Sequence, residues 1–257
     1  MHGRTCKCMR SPESGFDRSG PSRHLRATSG YGLAIALWIG ACLLAGKWAQ
    51  AQDLRSWQIG GFAEGGFVPS YNIHNPRFRY NLQLDFVNAG IAMGKTITRT
   101  HGSGVFRGRG EAVLEVIPFW LANYPSQTLN FSYPPNSVGP SRANFSSLQR
   151  FGASVTPVLF RWNFTKRATD RLEPWAQLGG GVLWTNHKFP VIPYTTANTS
   201  VINFTPQVGV GESAFIRKNR SLDFAIKAVH ISNASLGDNN PGLNVTLQFS
   251  AGYSWWK

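Results

Sequence analysis

The last run of the chain, Leu243 to Trp256, alternates without a break. Leu243, Val245, Leu247, Phe249, Ala251, Tyr253 and Trp255 fall on one parity, and Asn244, Thr246, Gln248, Ser250, Gly252 and Ser254 on the other. Successive side chains of a strand point to opposite faces, so this run predicts a strand with one apolar and one polar face. Two earlier runs repeat the pattern with charge on the polar side. Leu222, Phe224, Ile226 and Ala228 oppose Asp223 and Lys227, while Ala112, Leu114, Val116 and Pro118 oppose Arg109, Glu111 and Glu115. No helical period stands out beside them.

Two architectures use such alternation. A β-sandwich buries the apolar face, whereas a membrane barrel turns it outward to lipid and keeps the polar face inside. Period two does not separate them, but the export signal, the even segment count and the aromatic strand ends do, and the loop lengths support the barrel. Strand-like runs lie at 57–68, 84–98, 107–120, 149–163, 173–187, 201–214, 220–232 and 243–256, each long enough for a tilted span of ~9–11 residues. The count is even. With both termini on the periplasmic side, the outer connections are 69–83, 121–148, 188–200 and 233–242. The inner ones, 99–106, 164–172 and 215–219, are shorter on average, as such barrels require. Trp57, Trp120, Tyr124, Trp162, Trp175, Trp184, Tyr253, Trp255 and Trp256 lie near strand ends and are expected in aromatic girdles. Glu64, Glu111, Glu115, Asp223, Lys227 and Arg109 are expected to pair inside the lumen, where glycines such as Gly60 relieve crowding. The fold expected is all-β, an eight-stranded antiparallel transmembrane β-barrel of an outer membrane.

Export fits this reading. Tyr31–Gly46 is an apolar run preceded by Arg18, Arg23 and Arg26 and followed by Ala49-Gln50-Ala51, the small-x-small pattern of a signal-peptidase site. The run is short for a transmembrane helix, which needs ~20 apolar residues. Residues 1–51 are therefore expected to be a signal peptide, cleaved after Ala51, and 52–257 the barrel domain. Cys6, Cys8 and Cys42 all fall in the leader, which leaves the mature chain no disulfide framework and no thiolate metal site. The leader holds seven Lys/Arg and two Asp/Glu, so about +9 of the chain's +14 stays with the barrel. A basic surface favours anionic partners. An exported chain without a nucleic-acid motif points to phosphorylated lipid and not to nucleic acid.

Reactive side chains crowd at one hairpin tip, His230-Ile231-Ser232-Asn233-Ala234 followed by Asn240-Pro241-Gly242-Leu243-Asn244. Parity places His230 and Ser232 on the lipid-facing row of Leu222, Phe224, Ile226 and Ala228. A base beside a hydroxyl is the minimum for acyl transfer. The same two residues would cost little in the headgroup zone, with no reaction to perform. No Gly-x-Ser-x-Gly elbow, phosphate loop or dinucleotide fingerprint is present. His74, His101 and His187 fall in separate connections and form no metal cluster, so neither metal nor cofactor is expected.

The His230–Ala234 and Asn240–Gly242 stretches, set in an exported eight-strand pattern, resemble the signature of the PagL-like lipid A 3-O-deacylases. The resemblance implies an outer-membrane hydrolase that removes the ester-linked 3-hydroxyacyl chain at the 3-position of lipid A. It implies Ser232 as nucleophile, His230 as its base and Asn233 at the oxyanion hole. The family's acid, fourteen residues beyond the histidine, is replaced here by Asn244, whose carbonyl can orient an imidazole but cannot stabilise its charge. Asn244 lies on the polar row, so reaching His230 requires a bulge or a rim position. Asp238 is an alternative acid in the same loop. Arg77, Arg79, Arg142, Arg150 and Lys188 lie in or beside outer loops and suit the phosphates of lipopolysaccharide. A second copy of the chain, as a homodimer, is also allowed. The competing readings are a non-enzymatic structural or lipid-binding barrel and a small pore. The pore is disfavoured because eight strands leave a lumen that side chains fill.

Overall fold

The structure, a computed structural model, describes residues 55–257 apart from 70, 76, 166–170, 195–197 and 237–242. The expected leader with its cleavage after Ala51, together with Asp238 and Asn240–Gly242, lies outside the described residues.

Among the described residues twelve strands form in chain order. They are β1 (Trp57–Phe67), β2 (Asn72–Asn75), β3 (Phe78–Asn81), β4 (Asp85–Thr96), β5 (Gly108–Tyr124), β6 (Gln127–Asn130), β7 (Arg142–Phe145), β8 (Leu148–Phe164), β9 (Leu172–Phe189), β10 (Ser200–Arg217), β11 (Arg220–Ile231) and β12 (Leu243–Trp256). Eight of them close an antiparallel barrel in the order β1-β12-β11-β10-β9-β8-β5-β4. The ring shuts where β1 pairs with both β4 and β12, as in Gln58↔Gly94 and Gln58↔Trp256. Closure leaves no sheet edge, which is what a strand needs in hydrocarbon. The eight expected segments are these eight strands, longer by one to four residues at several ends and shorter by one or two at others. The expected loops 69–83 and 121–148 are not plain loops: each carries a short hairpin, β2–β3 and β6–β7.

The apolar parity faces outward. Ile59, Val87, Ile91, Leu178, Val208, Phe224, Ile226 and Phe249 are exposed, with Trp57, Trp184 and Trp255 among the exposed aromatics. The lumen is divided along its length. In the half towards the termini the wall residues are charged and paired. Arg109 and Arg55 converge on Glu173 at 3.0 and 3.3 Å, Arg161 lies 3.7 Å from Glu111, and Lys227 joins Glu115 at 2.9 Å and Glu64 more closely still. The Arg161 guanidinium also stacks over Trp175, 4.3 Å from the ring centroid. Close approach sets the glycines: a Cβ on Gly94 would sit 1.9 Å from Glu111 Oε1, and one on Gly60 would sit 2.2 Å from Ser254 Oγ. Both strand interiors lose a side chain so that a polar one from the neighbouring strand can fill the lumen.

The other half is apolar. Leu84, Phe86, Trp120, Ala122, Tyr124, Leu183, Phe189, Val229, Ile231 and Leu243 form a buried cluster that continues into Tyr71, Ile73, Tyr80 and Leu129 beneath the hairpins. Trp120, Tyr124, Trp175 and Trp256 are thus inside, not in a girdle. For Trp120 the reason is a register shift between Ile117 and Trp120 against β8, after which Trp120, Ala122 and Tyr124 take over the inward parity from Glu111, Val113 and Glu115. Leu243 is a second correction, since it is fully buried and leaves the lipid-facing row of its strand. The cause is again a bulge. Val229 pairs with Thr246 but Ile231 pairs with Leu243, so β12 holds one extra residue there.

Candidate active site

The end of β11 and the turn after it hold the candidate residues. His230 and Ser232 are both half-buried, and their neighbours Val229, Ile231 and Asn233 are buried, so the pair continues the outward row of Leu222, Phe224 and Ile226. Two residues along a strand separate them by about 6.6 Å at the backbone, a gap that an imidazole can bridge towards a hydroxyl. Ser232 is tied to β10 by a two-way bridge: its N–H donates to the Phe204 carbonyl at 3.0 Å, and the Phe204 N–H donates back at 2.6 Å. That bridge extends the register set by Gln207↔Val229 and places Pro206 opposite His230. Phe204, 39% exposed, is therefore the lipid-facing neighbour of Ser232, and nothing in the local sequence marks it.

Beyond Ser232 the chain turns sharply. The Leu236 N–H donates to the Asn233 carbonyl at 2.9 Å, closing a turn whose two central residues, Ala234 and Ser235, have φ of 47° and 64°. Neither is glycine, and left-handed backbone costs such residues ~1–2 kcal/mol each. Side chains hold the strained turn. Asn233 Oδ1 accepts the Ser235 N–H at 3.0 Å, and Ser232 Oγ accepts the Ala234 N–H at 3.2 Å. The Asn233 side chain is wholly buried, so it faces away from the row that bears Ser232. A donor N–H aimed at the hydroxyl oxygen lies on the outer side instead, on Ala234.

Asn244 is the second residue of β12, and the bulge sets Asn244 and Val245 together against His230. The register shift between Val229 and Ile231 is a bulge in the β12 backbone. The basic candidates are dispersed. Arg77 lies in the β2–β3 turn, Arg79 on β3 and Arg142 on β7, all exposed. Lys188 is near the end of β9, where it donates to Asn198 Oδ1. Val182 pairs with Phe204, so Lys188 stands six residues further out, roughly 20 Å along the strand at ~3.3 Å per residue. Arg150, on β8, donates to the Gln149 carbonyl at 3.0 Å.

Residues 117–254 match the family profile described as lipid A 3-O-deacylase (PagL). This span takes in the β5 bulge, the turn after β11 and nearly all of β12. No curated protein matches the chain. Among solved structures it is similar to the crystal structure of the outer membrane enzyme PagL, at 13% identity and a TM-score of 0.43, over 76% of this chain and 98% of that one. It is also similar to the outer membrane protein OprG from Pseudomonas aeruginosa, at 8% identity and a TM-score of 0.45, over 79% and 97% of the two chains. A closed barrel with an apolar exterior and an interior filled by side chains is built for lipid on its outside, and the protein is located in the outer membrane. With its matched region covering more than half of the sequence, the chain belongs to the lipid A 3-O-deacylase (PagL) family.

Proposed function

We propose that the protein removes the 3-linked acyl chain of lipid A as a serine esterase, with Ser232 as nucleophile and His230 as general base. The observation that carries this reading is the placement of both side chains on the lipid-facing row at the outer rim. An ionisable side chain on that row is a site candidate by default. The substrate ester sits at the same depth, where the acyl chains of the outer leaflet meet the sugar.

In the first step His230 takes the Ser232 proton while Oγ bonds to the ester carbonyl carbon. The tetrahedral adduct then collapses, the bond to the sugar oxygen breaks, and His230 gives that oxygen the proton. Water, deprotonated by the same imidazole, attacks the acyl-serine; the bond from Oγ to the acyl carbon breaks, the imidazolium returns the proton to Oγ, and the 3-hydroxy fatty acid leaves. Negative charge on the carbonyl oxygen needs a fixed donor. Asn233 is assigned to that role through the turn that its side chain locks, which fixes the backbone N–H groups that follow Ser232. Asn244, opposite His230 across the bulge, is assigned the orienting role that a carboxylate has elsewhere in the family. Lys188, on the outward parity of β9, is assigned to an anionic group of the substrate.

The test is mass spectrometry of lipid A from cells that express the protein. Ser232→Ala and His230→Ala are each expected to abolish loss of the 3-linked chain while the barrel still assembles and shows heat-modifiable migration. Wild-type protein that releases no acyl chain, under conditions where an active deacylase does, would establish the inert lipid-binding barrel instead. The absence of a carboxylate at position 244 is the observation that favours this second reading.

A further inference from the structure

The two hairpins beyond the barrel form one structure. The N–H and carbonyl of Arg79 both bond to Ser132 at 2.8 Å, which joins β3 to the end of β6. The two hairpins thus lie side by side in the order β2-β3-β6-β7, joined by this one bridge into a platform. Its two faces differ completely. The inner one is aromatic, with Tyr80 and Phe78 packed on Phe131 at ring distances of 5.2 and 5.4 Å. Tyr80 also donates to the Pro193 carbonyl, and Tyr194 donates to the Asn144 carbonyl at 3.1 Å, so the β9–β10 connection is fastened to the same platform. Burial pushes the Tyr80 phenol well above its ordinary pKa, so it stays a donor throughout the neutral range.

The outer face is polar and exposed along its whole width. Register sets Asn72 beside Asn81, Asn130 beside Arg142, and Thr128 beside Asn144, with Arg79 next to Ser132 between them. A concavity of about 440 Å³ opens among Asn72, Arg79, Asn81, Asn130 and Ser132, within the ~300–1,000 Å³ range of small-ligand sites. The charge is of one sign. Segments 69–83, 121–148 and 188–200 contain Arg77, Arg79, Arg142 and Lys188 and not one Asp or Glu. Ordinary solvated loops mix both signs, and they do not need an aromatic core beneath them.

We propose that this face binds the phosphorylated saccharide chain that lipid A carries above the membrane. Paired amides and hydroxyls offer both donors and acceptors to sugar hydroxyls. Arg79 and Arg142 offer forked donors to phosphate oxygens. The platform lies at the barrel end opposite the termini, the outer side, where that chain stands. The proposal needs the outer-leaflet placement but not the esterase, because the saccharide has no acyl chain to cleave.

The experiment titrates purified full-length protein in detergent with the water-soluble, phosphorylated core oligosaccharide released from lipopolysaccharide by mild acid. Saturable binding is expected, weakened about tenfold or more by the double variant Arg79→Gln, Arg142→Gln and by enzymatic removal of the phosphates. Arg99→Gln, on the opposite end of the barrel, is expected to change nothing. Heat-modifiable migration verifies that each variant is folded. Absence of binding would overturn the proposal. So would equal binding by the double variant, equal binding of the dephosphorylated saccharide, or equal binding of polyglutamate, which would reduce the face to unspecific charge. Loss of hydrolysis in Ser232→Ala with binding retained leaves this proposal standing whatever becomes of the esterase reading.

Discussion

Replacing Lys227 by methionine tests whether charge holds the lumen together. Lys227, Glu64 and Glu115 are 4%, 3% and 4% exposed, and the ammonium lies 2.9 Å from Glu115 and closer to Glu64. Methionine keeps the reach of the side chain and removes the cation, leaving two carboxylates face to face with no counter-charge. The neighbouring cations are engaged elsewhere, Arg161 with Glu111 and Arg109 with Glu173. Taking one partner from a buried ion pair costs ~3–5 kcal/mol, and two stranded acids put this case in the middle of that range or above it. A loss of ~4 kcal/mol is about a thousandfold in the folding equilibrium at ~1.36 kcal/mol per decade. Urea unfolding in lipid vesicles, followed by tryptophan fluorescence, measures it. Adding Glu64→Gln and Glu115→Gln to Lys227→Met is expected to recover most of the loss, because neutral amides need no cation. A single variant within ~1 kcal/mol of wild type would refute the reasoning, given the size expected of such a pair. So would a triple variant no more stable than the single one, which would make the effect one of packing.

Two further predictions concern the site. Asn244→Ala is expected to lower the initial rate of 3-hydroxy fatty acid release. Asn244→Glu is expected to hold or raise it, since a carboxylate favours the imidazolium that forms; loss of the acid costs serine hydrolases on the order of 10⁴-fold. If Asp238→Ala kills activity while both Asn244 variants behave as wild type, the orienting role belongs to Asp238. Ser235→Gly is expected to stabilise the turn by about 1 kcal/mol, because glycine adopts the φ of 64° without steric cost. A raised urea midpoint checks this, and a lowered one would show that contacts of the Ser235 hydroxyl outweigh the strain.

Whatever depends on parity within one strand could be read from the residues alone. Alternation in 220–232 and 243–256 told inside from outside, and the even count with long outer connections told barrel from sandwich. Parity also put His230 and Ser232 on the lipid row, where the structure has them, and put Glu64, Glu111, Glu115, Arg109 and Lys227 in the lumen. Tertiary structure alone decided whatever depends on which residue stands opposite. Glu173, Arg161 and Arg55 joined the lumen network from two strands and the segment before β1, with no local mark of partnership. The Phe204 neighbour of Ser232 comes from the register of β10 against β11. Trp120 and Leu243 changed sides because a bulge inserts one residue, and one residue reverses the face of everything beyond it. The same insertion brings Asn244 opposite His230. A bulge is set by the fit between two strands distant in sequence, so the pattern of either strand alone does not contain it.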